Sequence, residues 1–142
     1  MKKGFLFIFV VGALAIFITG CGKKSTLKCT QSANGVDIIF NVGFDGNTIS
    51  SMDFSYDMDL SSYPEESLSY VDKQDWCSLV KDSMSEYKNA FTNCKHNRND
   101  KNLHVSATLD VDKIAKNVLS KMSTPEATKK GLEEQGYKCN IN

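Results

Sequence analysis

Period-two alternation dominates the first half of the chain. Val36, Ile38, Phe40, Val42 and Phe44 alternate with Asp37, Ile39, Asn41 and Gly43. Met52, Phe54, Tyr56, Met58 and Leu60 then alternate with Ser51, Asp53, Ser55, Asp57 and Asp59. Such alternation marks strands with one buried and one wet face. Residues 26–31 read as a shorter strand before them. Ser32-Ala33-Asn34-Gly35 and Asp45-Gly46-Asn47 are the intervening turns, Asn-Gly being the strongest short hairpin signal. The pattern predicts a three-stranded antiparallel meander over 26–31, 36–44 and 48–60.

The period then changes. After a connection over 61–67 containing Pro64, the residues Trp76, Leu79, Val80, Met84 and Tyr87 fall on one helical stripe bordered by Cys77. They predict a single helix over 68–89 whose stripe covers the apolar face of the sheet. Residues 91–96 read as a fourth strand, Asn97-Arg98-Asn99-Asp100 as a turn, and Leu103, Val105, Ala107 and Leu109 as the inward side of a fifth strand. Ile114, Val118, Leu119 and Met122 suggest a short helix after Asp112. Ser123 and Glu126 have capping-box spacing around Pro125, which suits a first turn, so a further helix is expected to about Gln135. Gly136 is its expected left-handed stop. Residues 137–140 form a last short strand. The fold class is α+β: an antiparallel sheet (three-stranded meander plus hairpin and short C-terminal strand) packed against two or three helices. No repeat or low-complexity tract interrupts it, and about 120 residues suit one core. The domain is placed at 26–142.

The N-terminus has a different character. Met1-Lys2-Lys3 precedes an apolar run over 5–18, followed by Thr19-Gly20-Cys21. The run is shorter than the ~20 residues a spanning helix needs, and its flanks fit a secretory signal core. Basic start, apolar middle, small residues and then a cysteine are the layout of a bacterial lipoprotein signal. Residues 1–20 are thus expected to be a signal peptide, with Cys21 the lipidation site and 21–25 a lipidated cysteine and short tether. In lipoproteins with this motif a diacylglyceryl group joins the cysteine sulfur and cleavage makes that cysteine the N-terminus. Two or more acyl chains hold firmly, at ~0.8 kcal/mol per buried methylene. The expected location is the cell membrane, lipid-anchored and facing outside the cytoplasm.

Charge narrows the partners. The whole chain balances 17 basic against 17 acidic residues; loss of Lys2 and Lys3 leaves 15 against 17, a net charge of −2. Nucleic acid, which demands a basic face, is not an expected partner. Membrane contact falls to the anchor on Cys21.

Four further cysteines remain, Cys29, Cys77, Cys94 and Cys139. In a small exported domain they read as two disulfides, with three connectivities open to them. No pair is spaced C-x-x-C and the histidines lack finger spacing, which disfavours zinc. Cys77 lies about ten residues, ~15 Å, before the expected helix end, and Cys94 about four residues, ~13 Å, into the next strand. If the strand turns back along the helix, the two sulfurs arrive at a similar height. Cys29 in the first strand and Cys139 in the last are the natural second pair.

Each further candidate is weighed against a plainer role. Asp53, Asp57 and Asp59 form an acidic row, but same-face strand residues are ~7 Å apart, too far to pinch one ion. They also lack the calcium-loop pattern, so a solvated strand face is the favoured role. His96 and His104 flank the hairpin and become neighbours in some registers. They are weak metal candidates, because two ligands do not make a site. No G-x-S-x-G, H-E-x-x-H or glycine-rich phosphate loop occurs. Cys94 and His96 share a strand face ~7 Å apart, beyond direct proton transfer. Trp76 is expected in the core; Tyr63 and Tyr70 are the better exposed-aromatic candidates for a sugar platform. No catalytic residue, cofactor or metal ligand is assigned.

The chain resembles the YehR-like small bacterial lipoproteins. The residues that carry the resemblance are Ile18-Thr19-Gly20-Cys21, the hairpin from Asn34-Gly35-Val36-Asp37-Ile38 to Phe44-Asp45-Gly46-Asn47, and the closing Gly131-Leu132-Glu133-Glu134-Gln135-Gly136-Tyr137-Lys138. It extends over most of the mature chain in order and length. The four extra cysteines depart from the family pattern and mark a subgroup that adds disulfides. The resemblance implies an antiparallel sheet packed with helices and a lipid anchor on Cys21. It implies no activity or substrate. The expectation is a membrane-anchored, non-enzymatic binding or interaction module for an unknown envelope protein or ligand. The alternatives are a small-ligand or metal-binding envelope lipoprotein, a structural envelope component and, least favoured, an enzyme.

Overall fold

A computed structural model describes residues 23–142. Three long strands open the domain: β1 (Lys24–Ala33), β2 (Val36–Asp45) and β3 (Thr48–Asp59). The turns between them are two residues long. Asn34 and Gly35 take φ of 53° and 78°, and Gly46 takes 62°, the left-handed values that let a tight turn follow the strand twist. Helices α1 (Glu65–Lys73) and α2 (Trp76–Ser83) and a 3-10 turn (Ser85–Ala90) follow. The hairpin β4 (Phe91–Asn99) and β5 (Asn102–Leu109) comes next. Short helical turns lead through α3 (Lys116–Leu119) to Ser120–Met122, then α4 (Pro125–Glu134) and β6 (Lys138–Ile141).

All six strands form one open antiparallel sheet in the order β4-β5-β3-β2-β1-β6. The alternation assigns its faces. Leu27, Phe40, Val42, Phe44, Met52, Phe54, Leu103, Val105 and Leu109 are buried on one face, with Leu68, Val71, Val80, Val118 and Met122 of the helices in the same core. Lys28, Asp53, His104 and Thr108 stand exposed on the other. Burying a large apolar side chain contributes ~1.5–3 kcal/mol, so a one-residue slip in register would be costly all along the sheet. Phe40 links three elements, lying 5.3 Å from Phe54 and 5.7 Å from Tyr137 between ring centroids.

The α+β class and the meander follow the alternation, with β1 extended at both ends and β3 ending one residue early. Lys24 and Ser25, expected in a tether, belong to β1, and Lys23 already accepts the Gly46 N–H through its carbonyl at 2.9 Å. The single helix expected over 68–89 is instead two helices and a 3-10 turn. Gln74 is extended (ψ 142°), and Asp75 caps α2 by accepting the Ser78 N–H. The Trp76 indole N–H donates back to the Val71 carbonyl at 2.8 Å and closes the corner. Leu79, on the expected inward stripe, is 49% exposed as a result. The capping box expected at Ser123 and Glu126 is also replaced. Thr124 is the N-cap, its hydroxyl accepting from the Ala127 N–H, with Pro125 following. Gly136 takes the expected left-handed φ, 93°. Among the described residues, no helix is long and apolar enough to cross a membrane.

Candidate functional site

The sequence candidates separate in space. His96 faces Val105 and so lies on the helix-covered side of the sheet; His104 faces Asn97 on the open side. A bulge causes this: Thr92 pairs with Thr108 and Lys95 with Ser106, so Asn93 and Cys94 share the place opposite Ala107. The extra residue reverses which side chains face out beyond it. The two imidazoles do not meet, and the weak metal candidate His96/His104 is withdrawn. His104 pairs with Asp57 instead, Nδ1 to Oδ1 at 2.6 Å. Thr108 donates to Asp53 at 3.1 Å, and Asp59 accepts from the Ser61 N–H and hydroxyl. Each member of the acidic row has its own partner. Among the described residues no cluster of three or more His, Cys, Asp or Glu is placed to hold a metal. Cys21 lies outside the described residues.

Both bridges are present, Cys29–Cys139 and Cys77–Cys94. Register places them in one cross-strand row. Cys139, Cys29, Phe40, Phe54 and Ala107 succeed one another across the sheet, and the Asn93-Cys94 bulge completes the row. One bridge sits at each edge of the sheet.

Several exposed carboxylates are held below their ordinary range: Asp59 by the Ser61 hydroxyl and N–H, Asp72 by Arg98, Asp75 by Ser78, and Glu65 by Lys101. The Asp72–Arg98 pair is bidentate, with both N–H···O distances 2.7 Å. Each of these carboxylates binds a proton more weakly folded than unfolded. Their contribution is therefore complete above the unfolded values of 3.8 for Asp and 4.5 for Glu, and is lost as pH falls through the lower folded values. The melting temperature is expected to be insensitive to these groups above about pH 5 and to drop below it. Asp72→Asn should reduce that acid dependence in a pH series of thermal melts.

Two adjoining cavities form a concave site along α4. One, about 370 Å³, lies between the 3-10 turn Ser85–Ala90, the Ser120–Met122 turn and α4; the other, about 340 Å³, continues toward β6. Tyr87 and Leu132 line both. Val118 and Met122 floor the first, Phe40 and Tyr137 back the second, and Glu86, Lys121 and Gln135 stand on the rim. Burial pushes the hydroxyls of Tyr87 and Tyr137 above their ordinary pKa. The first cavity is the more apolar and the second the more polar, each at the small end of ligand-site volumes. Thr128 is buried beneath it and donates its hydroxyl to the Thr124 carbonyl at 2.8 Å.

Gly131 is the residue that sequence reading missed. It lies inside α4 and lines the first cavity, and among the described residues a Cβ placed on it would meet nothing within 4 Å beyond its chain neighbours and its own helix backbone. A helix-interior glycine costs about 1 kcal/mol relative to alanine. Neither its backbone nor its intrachain packing calls for glycine here. Its signal in the sequence is an interior glycine between the good helix formers Lys129-Lys130 and Leu132-Glu133-Glu134. Gly131→Ala is expected to raise stability by about 0.5–1 kcal/mol in a urea titration.

Tyr63 and Tyr70 are exposed, at 44% and 68%, but do not form one platform. Tyr63 lines a separate cleft of about 400 Å³ with Asn34, Asp59 and Ser62, whereas Tyr70 stands on α1 outside it.

No family model and no curated protein matches the chain. Two solved structures resemble it. The NMR structure of E. coli YehR matches with a TM-score of 0.54 and 16% identity, covering 83% of this chain and 91% of YehR. An NMR structure of a protein from Streptococcus pneumoniae TIGR4 matches with a TM-score of 0.46 and 12% identity, covering 82% and 85%. The first comparison establishes a YehR-like fold: an α+β domain with an open antiparallel sheet.

Proposed function

We propose that the chain is a lipid-anchored lipoprotein outside the cytoplasm, held by an acylated Cys21, whose domain is a non-enzymatic binding module for a small amphipathic molecule. The observation that carries the binding part is the groove along α4, in which Gly131 keeps open a space that no side chain of the domain fills. An apolar floor favours an apolar body, and the polar rim favours a ligand with a polar end. Two disulfides suit an oxidising compartment, and the lipoprotein signal ending at Cys21 supplies the address.

The anchor would also orient the domain. Cys21 lies two residues before Lys23, a reach of at most ~7 Å, and Lys23 is hydrogen-bonded at the β2–β3 turn. The end of the domain carrying that turn, the start of α4 and Ile141 would then face the bilayer.

Two measurements test the parts separately. Cys21→Ser should abolish acylation and release the domain from the membrane fraction. Unchanged fractionation with no lipid mass on Cys21 would overturn the anchor. For the groove, native mass spectrometry of the membrane-extracted protein should find a small molecule bound, lost in Gly131→Trp. A wild-type protein without ligand, or equal retention by the filled variant, would overturn the binding site.

A further inference from the structure

The two disulfides hold opposite edges of the same sheet but differ in surroundings. Cys29 and Cys139 are 0% and 6% exposed and belong to the core. Cys77 and Cys94 are half-buried at its margin. Cys94 lies on β4, an outermost strand with no neighbour on its outer side among the described residues, and within the bulge that lifts Asn93, at φ 50°, out of the ladder. Its sulfur is linked to Cys77, the second residue of α2. We propose that Cys77–Cys94 is a thiol–disulfide exchange site for a dithiol donor, while Cys29–Cys139 is a permanent staple.

Accessibility and leaving group set the direction of the reaction. In the proposed reaction a thiolate approaches from the free edge of β4, where the bulge interrupts the strand, and attacks Cys94 Sγ. The new S–S bond forms there, the Cys77–Cys94 bond breaks, and its electron pair goes to Cys77 Sγ, which takes up a proton. The positive end of the α2 helix dipole favours negative charge on that departing sulfur. The Asp75 carboxylate at the same helix end opposes it, but is engaged by the Ser78 N–H and hydroxyl at 3.1 and 2.8 Å. His96, on the same face of β4 as Cys94, lies near enough to Asp75 to lower its carboxyl further. The donor's second thiolate then attacks the donor sulfur of the mixed disulfide and expels Cys94, which takes up the second proton. The donor dithiol becomes a disulfide and two cysteines become thiols, so two electrons and two protons move.

The domain is built to survive this. With Cys77–Cys94 open, α2 keeps the buried Val80 and the Trp76–Val71 hydrogen bond, and the core bridge is untouched. The matching partner is a protein dithiol on the same side of the membrane as this domain. The free edge of β4 offers backbone groups to an extended segment of such a partner. The inference does not depend on the groove or on the anchor.

The test uses the full chain in detergent with dithiothreitol as the probe, alkylation at timed intervals and peptide mass mapping. Cys77 and Cys94 should be labelled at least ~10-fold faster than Cys29 and Cys139, with the folded-state spectrum retained. Equal rates, or reduction only after denaturation, would overturn the proposal. Reduced glutathione, a monothiol, should give an acid-quenched adduct on Cys94 with a free thiol on Cys77; an adduct on Cys77 would overturn the stated direction of attack. Cys77→Ser should keep a stable glutathione adduct on Cys94 when given oxidised glutathione, and no adduct in the folded variant would likewise count against it.

Discussion

Replacing both Cys29 and Cys139 by alanine should cost about 4 kcal/mol of stability. The bridge joins residues 110 apart in sequence. Cross-linking so distant a pair removes ~4.7 kcal/mol of loop-closure freedom from the unfolded chain for a loop near 100 residues, and losses of native bridges run ~2–5 kcal/mol. Alanine fits both buried sites without leaving an unsatisfied polar group. At roughly 4 °C per kcal/mol for a domain of this size, the melting temperature should fall by roughly 15 °C. The damage should also be local. β6 is only four residues long and pairs with β1 alone, so it should fray first and carry Tyr137 away from Phe40. Amide exchange over Lys138–Ile141 and a urea titration of the same variant check both parts. A loss below about 1 kcal/mol would mean that β6 is held by its ladder and side chains rather than by the cross-link.

Phe44→Ala should be comparably severe, at about 3–5 kcal/mol. Phe44 is 1% exposed and among the largest fully buried side chains of the domain. It lies opposite Ile49, next to the register shift between β2 and β3, where the ladder is already interrupted and cannot easily close on a cavity. Leu79→Ala supplies the contrast. At 49% exposure, its loss should fall within about 0.5 kcal/mol of wild type. The two residues look equally inward in the sequence, one by strand period and one by helix period. Near-equal losses in chemical denaturation would mean that α2 packs as the single long helix would have packed.

That contrast locates the limit of the sequence. Strand faces were legible because a side-chain period of two is local: once Phe40 faces inward, Val42 and Phe44 do as well. The Asn34-Gly35 and Gly46 turns were legible because only certain residues take positive φ at low cost. The split at Gln74 was less so. Asp75 is a good N-cap and Trp76 needs a partner for its N–H, yet a helical stripe runs across both, and only the Val71 carbonyl waiting at the corner decides for two helices. Capping shows the same limit on a smaller scale: Ser123 and Thr124 both suit an N-cap, and in the fold it is Thr124 that accepts the Ala127 N–H.

The candidate site was least legible. A bulge of one residue at Asn93 sent His96 and His104 to opposite faces, and no pairwise spacing along the chain reports that register. The groove depends on Phe40, Tyr87, Met122, Leu132 and Tyr137, which converge from four elements and the link before β6. What the amino-acid order determined by itself is what short-range rules can carry: the α+β class, the inward faces of β2 and β5, and the turns at Asn34-Gly35 and Gly46-Asn47. The tertiary structure alone decided which bridge is sealed in the core and which stands at an open edge, where the helical run breaks, and where the groove opens beside Gly131. These follow from non-local pairing and packing, where side chains far apart in sequence compete for the same space and the same hydrogen-bond partners.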